Sequence, residues 1–162
     1  AMVALQKKCT VIAVDIVDSQ LEVSRKAGSQ YVINSKKEDP VERVKSIVGA
    51  EGLNCVIDTV ANNWSVDFCL KVLNKGAAMT LVGIPCSEIK PDLFKMVCRE
   101  VSIRTRYLYT DEDFARAVAY VTEGKIDVTP MISKVYPLAD IQEAFEYKAT
   151  TPCLKVVLRN AD

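Results

Sequence analysis

Apolar and polar positions follow two alternating rhythms along this chain. Thr10-Val11-Ile12-Ala13-Val14-Asp15 is a β-branched run closed by an acid, the pattern of a strand buried on both faces. Residues 18–27 follow with Leu21, Val23 and Ala27 as apolar positions, and Gly28 supplies a helix stop. Tyr31-Val32-Ile33 predicts a second short strand. Asp39-Pro40 opens a helix, with aspartate as N-cap and proline in the first turn, and Val41, Val44, Ile47 and Val48 recur through it at helical spacing. The cycle repeats as a strand over 54–58, a helix over 64–74 stopping near Gly76, a strand over 79–83 and a loop over 85–91. A half-exposed strand is expected over 101–107 and a helix from 110 to 123, before Gly124. A strand near 132–136, a helix from 139 to 147 and a strand over 154–158 complete the reading. Strands alternating with helices through short connections predict an α/β fold built on a doubly wound parallel sheet. In such sheets ligands sit at the carboxyl ends of the strands.

Composition narrows the function. The chain has 162 residues, 49% hydrophobic and 26% charged, as expected of one soluble globular domain. Its 21 Lys+Arg balance 21 Asp+Glu, and the lack of a basic stripe argues against nucleic acid or an anionic membrane as partner. No apolar run has membrane-spanning length and no signal peptide opens the sequence, so a cytoplasmic location is expected. Six cysteines, at 9, 55, 69, 86, 98 and 153, include no C-x-x-C pair. Several lie in strand-like runs, which predicts buried free thiols in a reducing compartment. Histidine is absent, which removes the commonest general base and the commonest zinc ligand and excludes Ser/His/Asp and Cys/His triads.

One acid carries candidate chemistry. Asp15 closes a strand ahead of a helix; in a dinucleotide fold an acid there accepts hydrogen bonds from the adenosine ribose diol and repels the extra phosphate of NADP. A surface acid, or a cap for the helix at 18, is the other reading. The phosphate-binding glycines of such a fold belong just before this strand, at a helix N-terminus. The first glycine here is Gly28, so residues 1–8 read as the remainder of the first helix, and the first strand and its glycine-rich turn are expected to be missing. Asp58 also ends a strand, with no partner acid or histidine in view. Trp64 and Phe68, four apart on a helix, read as core packing.

The ordered succession of short motifs identifies a family. Val11-Ile12-Ala13-Val14-Asp15-Ile16, then Leu21-Glu22-x-x-Arg25-Lys26-Ala27-Gly28, Tyr31-Val32-Ile33-Asn34, Cys55-Val56-Ile57-Asp58-Thr59-Val60, Leu81-Val82-Gly83-Ile84-Pro85, Arg99-Glu100-Val101-x-Ile103 and Gly124-Lys125-Ile126-Asp127 resemble zinc-type medium-chain alcohol dehydrogenases. The sorbitol, butanediol and threonine dehydrogenase branch is the nearest in pattern. The tail from Tyr136-Pro137-Leu138 through Glu143-Ala144-Phe145-Glu146 to Lys155-Val156-Val157-Leu158 resembles the segment that returns to the family's catalytic domain. The resemblance implies a partial Rossmann-like, NAD-binding domain over 1–135 and a returning segment over 136–162.

By that resemblance Asp15 holds the ribose diol, Ile16 flanks the adenine, and Gln20 stands where relatives often carry a basic residue. Thr59 and Val60 line the pocket, and Val82, Gly83 and Ile84 lie near the nicotinamide. Ordinary strand-end packing is the other reading of these five. Thr105 and Arg106 depart from the glycine and serine common beside the carboxamide. The resemblance further implies hydride transfer between a secondary alcohol or polyol and NAD in the full-length protein, with zinc held by an upstream domain and this chain inactive alone. A nucleotide-binding module without catalysis and a zinc-free quinone reductase relative are the alternatives. A methyltransferase also uses an acid after its second strand, but the motif over 81–85 and the Pro137-Leu138 tail argue against it. The strand over 101–107 falls at a sheet edge and is expected to join a homodimer.

Overall fold

Three parallel sheets carry the fold in the computed structural model, which describes residues 1–49 and 52–160. Chain order is α1 (Met2–Gln6), β1 (Ile12–Asp15), α2 (Asp18–Lys26), β2 (Tyr31–Asn34), α3 (Pro40–Val48), β3 (Leu53–Asp58), α4 (Asn63–Val72), β4 (Leu73–Leu81), α5 (Leu93–Arg99), β5 (Ser102–Thr105), α6 (Asp111–Thr122), β6 (Ile132–Pro137), α7 (Ile141–Thr150) and β7 (Lys155–Arg159). Packing divides the chain into two compact units: residues 1–34 with 111–162, and residues 35–110. The division expected at 135/136 falls inside β6.

In the first unit β1 and β2 pair in parallel, Ile12 opposite Tyr31 through to Asp15 opposite Asn34. Helix α2 packs on both strands, and Leu21 and Ile33 are buried beneath it. The helix stops where the sequence predicts: Gly28 sits at φ 101°, a conformation that costs a side-chain-bearing residue 1–2 kcal/mol, in order of magnitude about that, and a Cβ there would meet the Leu5 side chain at 2.9 Å. Strands β6 and β7 form a second parallel pair closed by α7. The Lys134 ammonium lies 4.4 Å and 4.8 Å from the Tyr136 and Tyr147 ring centroids.

The second unit places β4 between β3 and β5, all parallel. Helix α4 packs on β3 and β4 and supplies Val66, Phe68, Cys69, Leu70 and Val72 to a core completed by Leu73, Met79 and Val101. Met79 is fully buried, and α3 packs against α4 through its buried Val44. Local signals start the helices: Asp39 accepts hydrogen bonds from the amides of Val41 and Glu42 ahead of α3, and Asn62 and Ser65 form a reciprocal capping box on α4.

Several expectations are corrected. The helix expected over 64–74 ends at Val72 and β4 follows directly. Arg99 makes that junction possible by donating its guanidinium to the carbonyls of Leu70, at 2.6 Å, and Leu73, satisfying backbone acceptors that a helix end leaves orphaned. Helix α5 lies where the sequence pattern predicts no helix; Asp92 caps it by accepting from the Lys95 amide. The strand expected over 101–107 is confined to Ser102–Thr105. Of the cysteines only Cys69 is buried; Cys9, Cys55, Cys86 and Cys98 are exposed, Cys153 is half-buried, and all six are free. Cys55 and Ile57, two apart on β3, are both exposed, so that face of the strand is uncovered. Trp64 is half exposed and stacks on Phe68 at the core's margin, with ring centroids 5.6 Å apart. Among the described residues no helix is long and apolar enough to cross a membrane.

Candidate functional site at the strand ends

Each unit presents its candidate residues where strands give way to turns. Asp15 is the last residue of β1, and its Oδ1 accepts from the amides of Ile16, at 2.7 Å, and Val17, at 2.9 Å. One carboxylate oxygen thus braces the turn into α2, whose own N-cap residue Val17 makes no side-chain cap. Among the described residues Oδ2 accepts no hydrogen bond. The two readings of Asp15 are therefore compatible: one oxygen caps, and the other remains available to a hydroxyl donor. Ile16 is 49% exposed beside it, and Gln20 is half-buried on α2.

Asn34 closes the Tyr31-Val32-Ile33-Asn34 motif. It ends β2 opposite Asp15, is buried, and donates its Nδ2 to Asp18 Oδ1 at 2.7 Å and to the Ile16 carbonyl at 3.5 Å. It therefore ties down the segment over 16–18 that Asp15 braces from the other side. Its signal was a polar residue closing an otherwise apolar strand.

In the second unit Asp58 ends β3 and is 4% exposed. Its Oδ1 accepts from the amides of Val60, at 2.8 Å, and Ala61, at 3.2 Å. Its Oδ2 accepts from the Ser65 hydroxyl at 2.8 Å. Its main-chain carbonyl accepts from the amides of Val82, at 2.8 Å, and Gly83, at 3.1 Å. The resulting turn holds Ala61 at φ 56° and leaves Thr59 and Val60 exposed at its tip. Val82, Gly83 and Ile84 lie past the end of β4 rather than within it, with Val82 and Ile84 exposed. Gly83 passes beneath the turn so closely that a Cβ would meet Ala61 Cβ and the Thr59 backbone at 2.8 Å. Burial, and secondarily the Asp58 carboxylate, pushes the Cys69 thiol up to about 12, so it stays protonated and inert at neutral pH.

The segment that follows is stapled by Asn63, whose Nδ2 donates to the Glu88 carbonyl at 3.1 Å and whose Oδ1 accepts from the Lys90 amide at 2.8 Å. At β5, the Arg106 amide donates to the Leu81 carbonyl and its guanidinium to the Thr105 carbonyl. A cavity of about 30 Å³ between α4 and α5, lined by Asp67, Lys71, Lys95 and Arg99 among others, has room for a water or two but no organic ligand. Among the described residues no three His, Cys, Asp or Glu side chains gather to hold a metal ion.

Residues 1–123 match the sequence profile of a family described as zinc-binding dehydrogenase. An alcohol dehydrogenase of Geobacillus stearothermophilus is 31% identical over 136 residues, covering 84% of this chain and 39% of that protein. An NAD-dependent alcohol dehydrogenase of Sulfurisphaera tokodaii is 28% identical over 137 residues, covering 85% of the chain and 39% of the relative. In three dimensions the alcohol dehydrogenase of Thermus sp. ATN1 superposes with a TM-score of 0.87 over 94% of this chain and 44% of its own, at 22% identity, which establishes the α/β, Rossmann-like fold. The chain spans about two-fifths of the length of the curated relatives it matches.

Proposed function

The chain belongs to the zinc-binding dehydrogenase family, and from that membership we propose that it binds NAD for hydride transfer to or from a secondary alcohol or polyol. The carrying observation is Asp15: a carboxylate at the end of a parallel strand, fixed through Oδ1 by two backbone amides and open at Oδ2. So fixed, it accepts a hydroxyl of the adenosine ribose and repels a 2′-phosphate, which selects NAD over NADP. Ile16 supplies an apolar flank for the adenine, and Gln20 stands in the first turn of α2. Thr59 and Val60, with Val82, Gly83 and Ile84, present a largely apolar surface suited to a nicotinamide ring. NAD, when bound, supplies the hydride acceptor or donor. The chain's own work is to orient that ring. Among the described residues no three His, Cys, Asp or Glu side chains stand together to hold zinc.

The absence of histidine favours a second reading, a nucleotide-binding module without catalysis of its own. The chain alone is expected to show no turnover of any alcohol with or without added zinc, followed as NADH absorbance; activity above background overturns that expectation. The cofactor reading is tested by titrating NAD and NADP into isotope-labelled chain and following the amides of Ile16 and Val17. NAD shifts them, and NADP shifts them less. Unmoved amides at the highest NAD concentration refute the reading. We also propose a homodimer through residues 101–107, supported by β5 having β4 as its only ladder partner among the described residues, and a cytoplasmic location.

A further inference from the structure

Asp58 has no role in the cofactor contacts named above, yet its buried carboxylate accepts three hydrogen bonds. A buried carboxylate is costly unless its oxygens are hydrogen-bonded. Here three donors meet them, and two are backbone amides of the turn over 59–61. Capping α4 does not account for this, since Asn62 and Ser65 already complete a capping box. The amides held by Oδ1 bend the chain immediately after β3, with Ala61 in the left-handed region. The Asp58 carbonyl meanwhile receives Val82 and Gly83, drawing the end of β4 beneath Thr59 to the spacing that excludes a Cβ at Gly83. One residue thereby sets both exposed segments, Thr59–Val60 and Val82–Ile84, and the distance between them.

We propose that Asp58 is the positioning residue for the nicotinamide-facing segments: its carboxylate fixes the turn over 59–61 and its carbonyl fixes Val82 and Gly83 against that turn. The proposal rests on the NAD reading above. Asparagine can replace the aspartate, because its oxygen still accepts from Val60 and Ala61 while its amide donates to Ser65 Oγ. Alanine cannot.

The test compares the isotope-labelled parent chain with D58A, D58N and S65A. Without cofactor, amide exchange at Val60 and Ala61 accelerates about tenfold in D58A, as expected for lost hydrogen bonds, and stays near the parent rate in D58N and S65A. With NAD titrated in, the shifts of the Thr59, Val60, Val82 and Gly83 amides require about tenfold more cofactor in D58A and parental amounts in D58N. Unchanged exchange in D58A, or a parental NAD affinity in folded D58A, overturns the proposal. An equal loss in S65A also overturns it, by assigning the effect to the α4 cap. Should D58A not fold, loss of Val60 and Ala61 protection in D58N overturns it instead. If NAD moves none of these amides in the parent while D58A still accelerates exchange, the NAD reading fails and Asp58 is a determinant of the fold alone.

Discussion

Gly83→Ala tests the tightest contact in the second unit. The added Cβ would meet Ala61 Cβ and the Thr59 carbonyl carbon and oxygen at 2.8 Å, where ordinary contact begins at 3.4 Å. Two of the three opposing atoms are backbone and cannot swing aside. Gly83 is not among the glycines at positive φ, so alanine suffers no backbone penalty and the cost is steric. The turn over 59–61 has to lift by more than half an ångström, and the Asp58 hydrogen bonds to Val60 and Ala61 resist that motion. Overpacking of this kind costs about 1–3 kcal/mol. Urea unfolding followed by fluorescence reads it in the right place, because Trp64 is the chain's only tryptophan and lies on α4 in the same unit. With a slope of about 1–3 kcal/mol per molar urea for small proteins, the midpoint falls by roughly 1 M at unchanged slope. A loss below about 0.5 kcal/mol, within the range of an unremarkable surface substitution, would refute the steric argument.

Other expectations follow from the same geometry. In a dehydrogenase carrying this chain, Asp15→Ser relaxes the preference for NAD, since each charge-assisted hydrogen bond it removes contributes about 1.5–3 kcal/mol; an unchanged kcat/KM ratio for NAD against NADP shows that Asp15 does not select the cofactor. At pH 8 a thiol reagent modifies the exposed cysteines of the native chain and reaches Cys69 only on unfolding; native-state modification of Cys69 contradicts its burial. Because the Cys69 pKa rises from 9.0 to about 12 on folding, its stabilising contribution is complete below pH 9 and is lost as pH climbs toward 12. Cys69→Ala flattens that alkaline loss, measured by urea midpoint, and an undiminished slope excludes Cys69 as its source. Proline at Ile103 removes an amide from β5 and dissociates the proposed dimer in sedimentation analysis; persistence of the dimer rules out that edge.

The fold was legible where a local signal sufficed. Asp39-Pro40 announced α3 because an N-cap acts within one turn, and Gly28 ended α2 because only local dihedrals are involved. The junction at Val72–Leu73 was not legible, since Arg99, far along the chain, satisfies the helix end there. Helix α5 offered a faint signal, Pro91-Asp92 ahead of Leu93 and Met96, that its seven residues made easy to pass over. Cysteine burial was misjudged because an apolar strand reveals its pattern but not whether anything covers each face. At the site, Asp15 could be read from its place after a strand. Asp58 shows no partner acid or histidine in the sequence, whereas its partners are backbone amides and a serine hydroxyl that only the folded turn assembles.

The Asn63 staple has a consequence for how this region can move. The stretch from Val82 to Asp92 is anchored at its start on the Asp58 carbonyl, near its middle on Asn63, and at its end where Asp92 begins α5. Eleven residues with three moorings make a buttress, not a flap. Ile84 has little freedom to travel without α4, so opening toward a visiting molecule would have to be a displacement of helix and segment together. Room to lengthen the chain is confined to the unmoored bend around Cys86 and Ser87. An insertion there lies between anchors and leaves each in place, whereas one added residue between Glu88 and Lys90 pulls the two ends of the Asn63 bridge out of step.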